Sequence, residues 1–245
     1  MNLTKIFGIH AAQSILDYSP QKIHNAWIGQ NRHDQRLQKL SNTLSELGVQ
    51  IIKADRQTLD KLSNGKNHQS VVIEVEMPQA KTEDELKQAV SQLTQAAFYL
   101  IMDHIQDPHN LGACLRTADA VGVDGVIVTK DQAAGITPTV CKVASGAAEL
   151  VPVYQVTNLV RTLNWMKQQG MWVIGAAGEA EQAIYQADLS VPIALVVGAE
   201  EKGMRRLTRE QCDVLVKIPM HGKVDSLNVS VAAGVLMYEV VRQRF

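Results

Sequence analysis

The sequence predicts an α/β protein in two parts: a small α/β domain over residues 1–75 and a larger domain, residues 89–245, built on a parallel sheet covered on both faces. Three observations predict it. Short, wholly apolar runs recur through the second part with helical stretches between them, the alternation expected of parallel strands buried on both sides. In the first part, Leu37, Leu40, Leu44 and Leu47 repeat at helical spacing beside short β-rich runs. Between the two, residues 76–88 (EMPQAKTEDELKQ) lose apolar periodicity and gather charge around Pro78, which reads as an exposed linker.

Taken in order, VQII at 49–52 and VVIEV at 71–75 read as strands of the N-terminal part. The buried strands of the larger domain are AFYLIM (97–102), GVIVT (125–129), MWVIGA (171–176), IALVVG (193–198) and VLVKIP (214–219). Open parallel sheets bind ligands beyond the carboxyl ends of their strands, so the loops that matter begin near residues 103, 175, 198 and 219.

Composition narrows the function classes. With 245 residues, 46% hydrophobic and 20% charged, the chain has enough apolar material for a sizeable core. It contains no run of ~18 apolar residues, and MNLTKIFGIHAAQ lacks the layout of a secretory signal, so the expectation is a cytoplasmic protein without a membrane partner. The three cysteines, Cys114, Cys141 and Cys212, are far apart and never in a C-x-x-C pair, which argues against a disulfide framework and against a zinc site. Net charge is −1, without the overall basic excess of electrostatic RNA binders, but residues 1–75 hold nine Lys and Arg against six Asp and Glu. The basic side lies in the first third.

Three segments carry candidate chemistry. In DPHNLGACLRTADAVGV (107–123), Asn110 stands where an N-cap belongs, Leu111, Cys114, Leu115 and Ala118 form one apolar face, and Arg116 falls off it. A plain reading pairs Arg116 with Asp119 on the surface; a functional one frees it for a ligand. VVGAEEKGMRR (196–206) is a strand that ends on Gly198 and turns through Glu200 to Gly203, where glycines let backbone approach a ligand closely. It lacks the G-x-G-x-x-G of dinucleotide folds. In IPMHGKVDSLNVSVAAGVLMYEV (218–240), a strand ends at Ile218 and Ser226 starts a helix that places Leu227, Val231, Val235 and Tyr238 on one face. An N-cap explains Ser226 and leaves Asn228 without a role.

These segments, NLGACLRTADAVG, GAEEKGM and IPMHGKVDSLNVSVAAG, resemble in order and spacing the three motifs of the SpoU ribose methyltransferases of the SPOUT superfamily, over residues 97–245. The stretch from IFGIHAA to NHQSVVIEV (67–75) is similar to the ribosomal-protein-L30-like RNA-binding domain carried by those members that modify guanosine in 23S ribosomal RNA. The resemblance implies a deep trefoil knot near the C-terminus and transfer of a methyl group from S-adenosylmethionine to a ribose 2′-hydroxyl. It implies Asn110, Arg116, Glu200, Ser226 and Asn228 as the catalytic set, Gly198, Ile218 and Leu227 as the cofactor-binding set, and no metal. Because a guanidinium keeps its proton in proteins, Arg116 is better suited to clamp a phosphate or substrate oxygen than to act as a base. It further implies a homodimer built through the C-terminal domain, with 23S ribosomal RNA and no DNA as partner. Two other readings are a tRNA ribose methyltransferase, which would lack the separate first domain, and a non-catalytic RNA-binding assembly factor, which would not need the polar set intact.

Overall fold

The structure is a computed structural model that describes residues 3–30, 34–92, 96–199 and 202–244. The N-terminal domain runs β1 (Leu3–Phe7), α1 (Ile9–Tyr18), β2 (Ile23–Gly29), α2 (Gln35–Glu46), β3 (Gln50–Ala54), α3 (Arg56–Leu62) and β4 (Val71–Glu76). Its strands make one mixed sheet in the order β1-β4-β2-β3, with β2 and β3 parallel and the other pairs antiparallel. Leu37, Leu40 and Leu44 of α2 are buried against Ile28, Ile73 and Val75, whereas Leu47 is 51% exposed because α2 has already ended at Glu46.

The stretch read as a linker over residues 76–88 is not one throughout. From Glu83 to Ser91 it is helix α4, opened by a capping box in which Thr82 and Glu85 satisfy each other's backbone N–H groups. Leu86 and Val90 bury its apolar side in the larger domain. The exposed part is further limited by Lys81, whose N–H donates to Val153 O at 2.7 Å and whose carbonyl accepts from Gln155 N at 2.8 Å.

The larger domain continues through β5 (Phe98–Asp103), α5 (Pro108–Val121), β6 (Gly125–Thr129), α6 (Pro138–Ala144), α7 (Ala147–Leu150), β7 (Val153–Val156) and α8 (Leu159–Gln168). It then runs β8 (Trp172–Ala176), β9 (Gln182–Ala183), β10 (Ile193–Gly198), α9 (Arg206–Glu210), β11 (Val214–Lys217) and α10 (Val229–Arg244). All pairings are parallel, in the order β7-β6-β5-β10-β8-β11-β9. Leu100, Met102, Val126 and Leu195 point to the face covered by α5, α6 and α10, and Tyr99, Ile101 and Val196 to the face covered by α4 and α8. The predicted strands are present, with bounds shifted by up to two residues. The short β7, VYQV, carried too little apolar pattern to be read as a strand.

Strand β10 lies between β5 and β8 although it comes after both in sequence. Chain segments leaving the carboxyl ends of β5, β8, β10 and β11 therefore meet at one edge, where ligands gather in open parallel sheets.

Candidate functional site

Two neighbouring cavities open at that edge. The first, about 590 Å³, is lined by three loops and the start of α10, including Ala176, Gly178, Gly198, Ile218, Leu227 and Leu236, with Lys217, Lys223, Asp225 and Ser226 as polar members. All three residues expected to bind cofactor, Gly198, Ile218 and Leu227, line it. Gly198 is required by packing: a Cβ there would stand 2.1 Å from Gly203 C and Met204 N, because the turn after β10 folds back on it. Ala199 and Gly203 exchange hydrogen bonds of 3.1 and 2.8 Å across this turn.

The second cavity, about 540 Å³, includes His104, Asp107, Asn110, Gln132, Lys202 and Arg205 in its lining. Ala199, Gly203 and Val229 line both cavities, so a single wall separates them.

The polar centre is assembled by two helix starts, and the caps differ from those predicted. Asp107, not Asn110, caps α5: its Oδ1 accepts from His109 N at 2.8 Å, and Pro108 fits the first helical position. Asn110 is instead turned inward and 6% exposed. Helix α10 starts at Val229, not Ser226. Asn228 Oδ1 accepts from Ser230 N at 3.0 Å and Val231 N at 3.4 Å, while its Nδ2 donates to Asn110 Oδ1 at 3.0 Å. Asn228 thus has the role that the sequence left blank: it caps α10 and ties it to α5. Ser226 is exposed in the preceding loop, with its Oγ donating to Asp225 Oδ1 at 3.2 Å.

The structure brings Asn110, Ser226 and Asn228 to the edge that holds both cavities, but leaves Arg116 elsewhere. Arg116 is exposed on α5 and lines neither cavity. The predicted surface pair with Asp119 is absent among the described ion pairs. Glu200 lies outside the described residues. Of the face read from Leu227, Val231, Val235 and Tyr238, Val231 is 52% and Tyr238 54% exposed, whereas Val229, Ala233, Leu236, Met237 and Val240 form the buried side of α10. With Ala113, Thr117 and Gly234, those outward residues line a shallow groove along α5 and α10.

Sequence reasoning missed Asp103 and Arg205. Asp103 is fully buried at the end of β5; it accepts from Arg205 N at 2.8 Å and Arg205 Nε at 3.1 Å, and meets His104 Nδ1 at 2.9 Å. This carboxylate anchors the chain just after the Ala199–Gly203 turn. Its signal was a charge closing the otherwise apolar strand YLIMD. The thiols take no part: burial pushes Cys114 and Cys212 up to about 12 and Cys141 up to about 11, so they stay protonated near neutrality. Among the described residues no group of His, Cys, Asp or Glu is placed to hold a metal ion.

Comparison with known proteins places this geometry in a family. Residues 97–238 match the SpoU rRNA methylase family, and residues 5–81 match the family described as RNA 2′-O ribose methyltransferase substrate binding. The 23S rRNA (guanosine-2′-O-)-methyltransferase RlmB of Haemophilus influenzae is 51% identical over 241 residues, covering 98% of each chain. The crystal structure of the SpoU methyltransferase AviRb from Streptomyces viridochromogenes with AdoMet superposes with a TM-score of 0.68 at 24% identity, over 99% of this chain and 90% of that one. A TrmH/SpoU tRNA-modifying enzyme of A. aeolicus, 30% identical with a TM-score of 0.56, covers only 66% of this chain, and 83% of its own length is matched. With both family matches in sequence order and close identity to a relative along nearly the whole length, the chain belongs to the SpoU rRNA methylase family.

Proposed function

We propose that this protein methylates the ribose 2′-hydroxyl of a guanosine in 23S ribosomal RNA, with S-adenosylmethionine as donor. The observation that carries the reading is the convergence of Gly198, Ile218 and Leu227 on one cavity beside the Asn110–Asn228 pair. The cavity suits the donor: its volume falls in the range of small-molecule sites, its walls combine apolar groups with a few polar side chains, and glycines at 178, 198, 203 and 222 let backbone groups come close. Bound there, the donor supplies an electrophilic methyl on a sulfonium that leaves as a neutral thioether.

The chain's own residues then have two tasks, aligning the ribose oxygen and meeting the charge that develops as its proton departs. Asn228 fixes the starts of α5 and α10 relative to each other, and through them both cavity walls. Ser226 offers a hydroxyl at the cofactor cavity. Arg116 clamps a phosphate or substrate oxygen by charge-assisted hydrogen bonds, and Glu200 anchors that guanidinium or a loop amide.

The exposed position of Arg116 beside the α5–α10 groove supports a homodimer in which one subunit's Arg116 serves its mate's site. A knotted path is part of this proposal, and it is supported by the turn closing on Gly198 and the chain from β11 to α10, which line the same cavity. The N-terminal domain binds the RNA; the match of residues 5–81 to substrate-binding domains supports this, and the tRNA-modifying relative matches only part of the chain. A cytoplasmic location fits the lack, among the described residues, of any helix long and apolar enough to cross a membrane.

The test is transfer of labelled methyl from S-adenosylmethionine to unmodified 23S and tRNA transcripts, followed by mapping of the modified ribose. The expected product is a 2′-O-methylguanosine in 23S RNA. Label in tRNA alone, or in neither, overturns the proposal.

A further inference from the structure

The second cavity is not claimed by the donor, and its chemistry differs from that of the first. The first cavity mixes glycines and aliphatic groups with Lys217, Lys223, Asp225 and Ser226 and holds no side-chain amide or imidazole, whereas this one collects three amides and an imidazole beside a carboxylate and two cations. Its walls are held in place. Asp103 fixes Arg205 by both its backbone N and Nε, and Ala134 N donates to Ile105 O at 2.8 Å, tying the loop after β6 to the loop after β5. Gln132 sits on the loop after β6 with φ +55°, a left-handed conformation that long side chains rarely adopt.

We infer that this cavity receives the target guanine, with Asp107 and Gln132 reading its Watson–Crick edge and Lys202 and Arg205 meeting an adjoining phosphate. The inference rests on the guanosine reading given above. Guanine differs from the other bases in offering N1–H and an exocyclic N2–H beside the acceptor O6, so an ionised carboxylate that accepts both donors, next to an amide N–H that donates to O6, selects it. Asp107 has acceptor capacity for this: Oδ1 takes the His109 N–H, and Oδ2 makes no other polar contact among the described residues. Adenine would set its N1 lone pair against the same carboxylate. A base seated here also places its own ribose at Ala199, Gly203 and Val229, the wall shared with the cofactor cavity.

The test uses the full-length protein and 23S RNA fragments whose mapped target is guanosine or inosine, which lacks only the N2 amino group. The wild type is expected to prefer guanosine over inosine by roughly 10- to 100-fold in kcat/KM, the discrimination typical of a bidentate base contact. Asp107→Asn keeps a good N-cap and so preserves α5. It should lower kcat/KM on guanosine and bring the guanosine-to-inosine ratio within about 3-fold of unity, with S-adenosylmethionine affinity unchanged. Gln132→Ala, on a loop outside the helix start, should weaken the same ratio. If both variants keep the wild-type ratio while the wild type discriminates, the cavity assignment is overturned and the guanosine reaction stands. A wild type that methylates no guanosine overturns both.

Discussion

Arg116 is the residue whose surroundings and assigned chemistry differ most. In a single chain it is an exposed arginine on α5 that lines neither of the two cavities, yet the proposed mechanism places it in the catalytic set. Arg116→Ala should cost ~10²-fold or more in turnover with cofactor affinity within a few-fold, as expected for loss of a transition-state contact. Arg116→Lys should stay impaired because an ammonium lacks the planar fork. Equal loss of cofactor binding, measured by calorimetry, would make the residue structural instead. At Gly198 the argument is steric, since a Cβ would enter the backbone of Gly203 and Met204. Gly198→Ala should therefore abolish cofactor binding and destabilise the fold by about 1–3 kcal/mol in urea unfolding; unchanged binding would refute it. Burial also gives a pH effect: the folded chain holds the Cys114 thiol at about 12 against an ordinary 9.0. Its contribution to stability is complete below pH ~9 and is lost as pH rises toward the folded value, because only the unfolded chain then releases the proton. Urea midpoints should fall more between pH 8 and 10.5 for the wild type than for Cys114→Ala, and identical falls would show that this thiol is not responsible. That Asn110, Ser226 and Asn228 belong to segments worth inspecting was legible from motif and spacing, but the partners of site-edge residues were not. Asp103 and Arg205 meet only after more than one hundred residues of chain have been placed.

At the scale of elements, the buried parallel strands were readable because burial on both faces removes polar residues from them. Helix starts were less so. Asp107 and Asn110, or Ser226 and Asn228, are all acceptable caps by residue type, and the choice between them is made by the Asn228–Asn110 hydrogen bond, a contact 118 positions apart in sequence. The linker was misjudged for the opposite reason. Charge in TEDELKQ reads as solvated loop, yet the same residues form the outer face of α4, whose Thr82 capping box and buried Leu86 and Val90 belong to the larger domain. This moves the natural cut between the domains to just before Lys81, whose backbone is bonded to β7. Deleting residues 1–80 should leave cofactor binding within a few-fold and abolish methylation of 23S RNA. A truncated protein that still modifies the same nucleotide with similar efficiency would show that the first domain does not select the target.

For the whole molecule, the outward side of α10 is the surface on which the proposed pairing of copies rests. Its inner side is filled by Val229, Ala233, Leu236, Met237 and Val240, and its end is held by Gln243 and Arg244 on the carbonyls of Ala187, Leu189 and Val191, so the helix is firmly seated. The other side nevertheless presents Val231 and Tyr238 at more than half exposure, beside Gly234 and the Ala113–Thr117 side of α5. Small residues at such positions let helices approach closely, and a two-fold axis through the groove would set the same patch of each subunit against its mate. Arg116, one residue from Thr117, then lies at the seam and can reach across it. Two proteins that are inactive alone, Arg116→Ala and Asn228→Ala, should recover part of the activity when mixed, because one of the two sites in each mixed dimer has both residues intact. Sedimentation should give a dimer of this 26.9 kDa chain at working concentration. A monomer would overturn the association, whereas a dimer without recovery would leave the pairing in place and confine Arg116 to its own subunit's site.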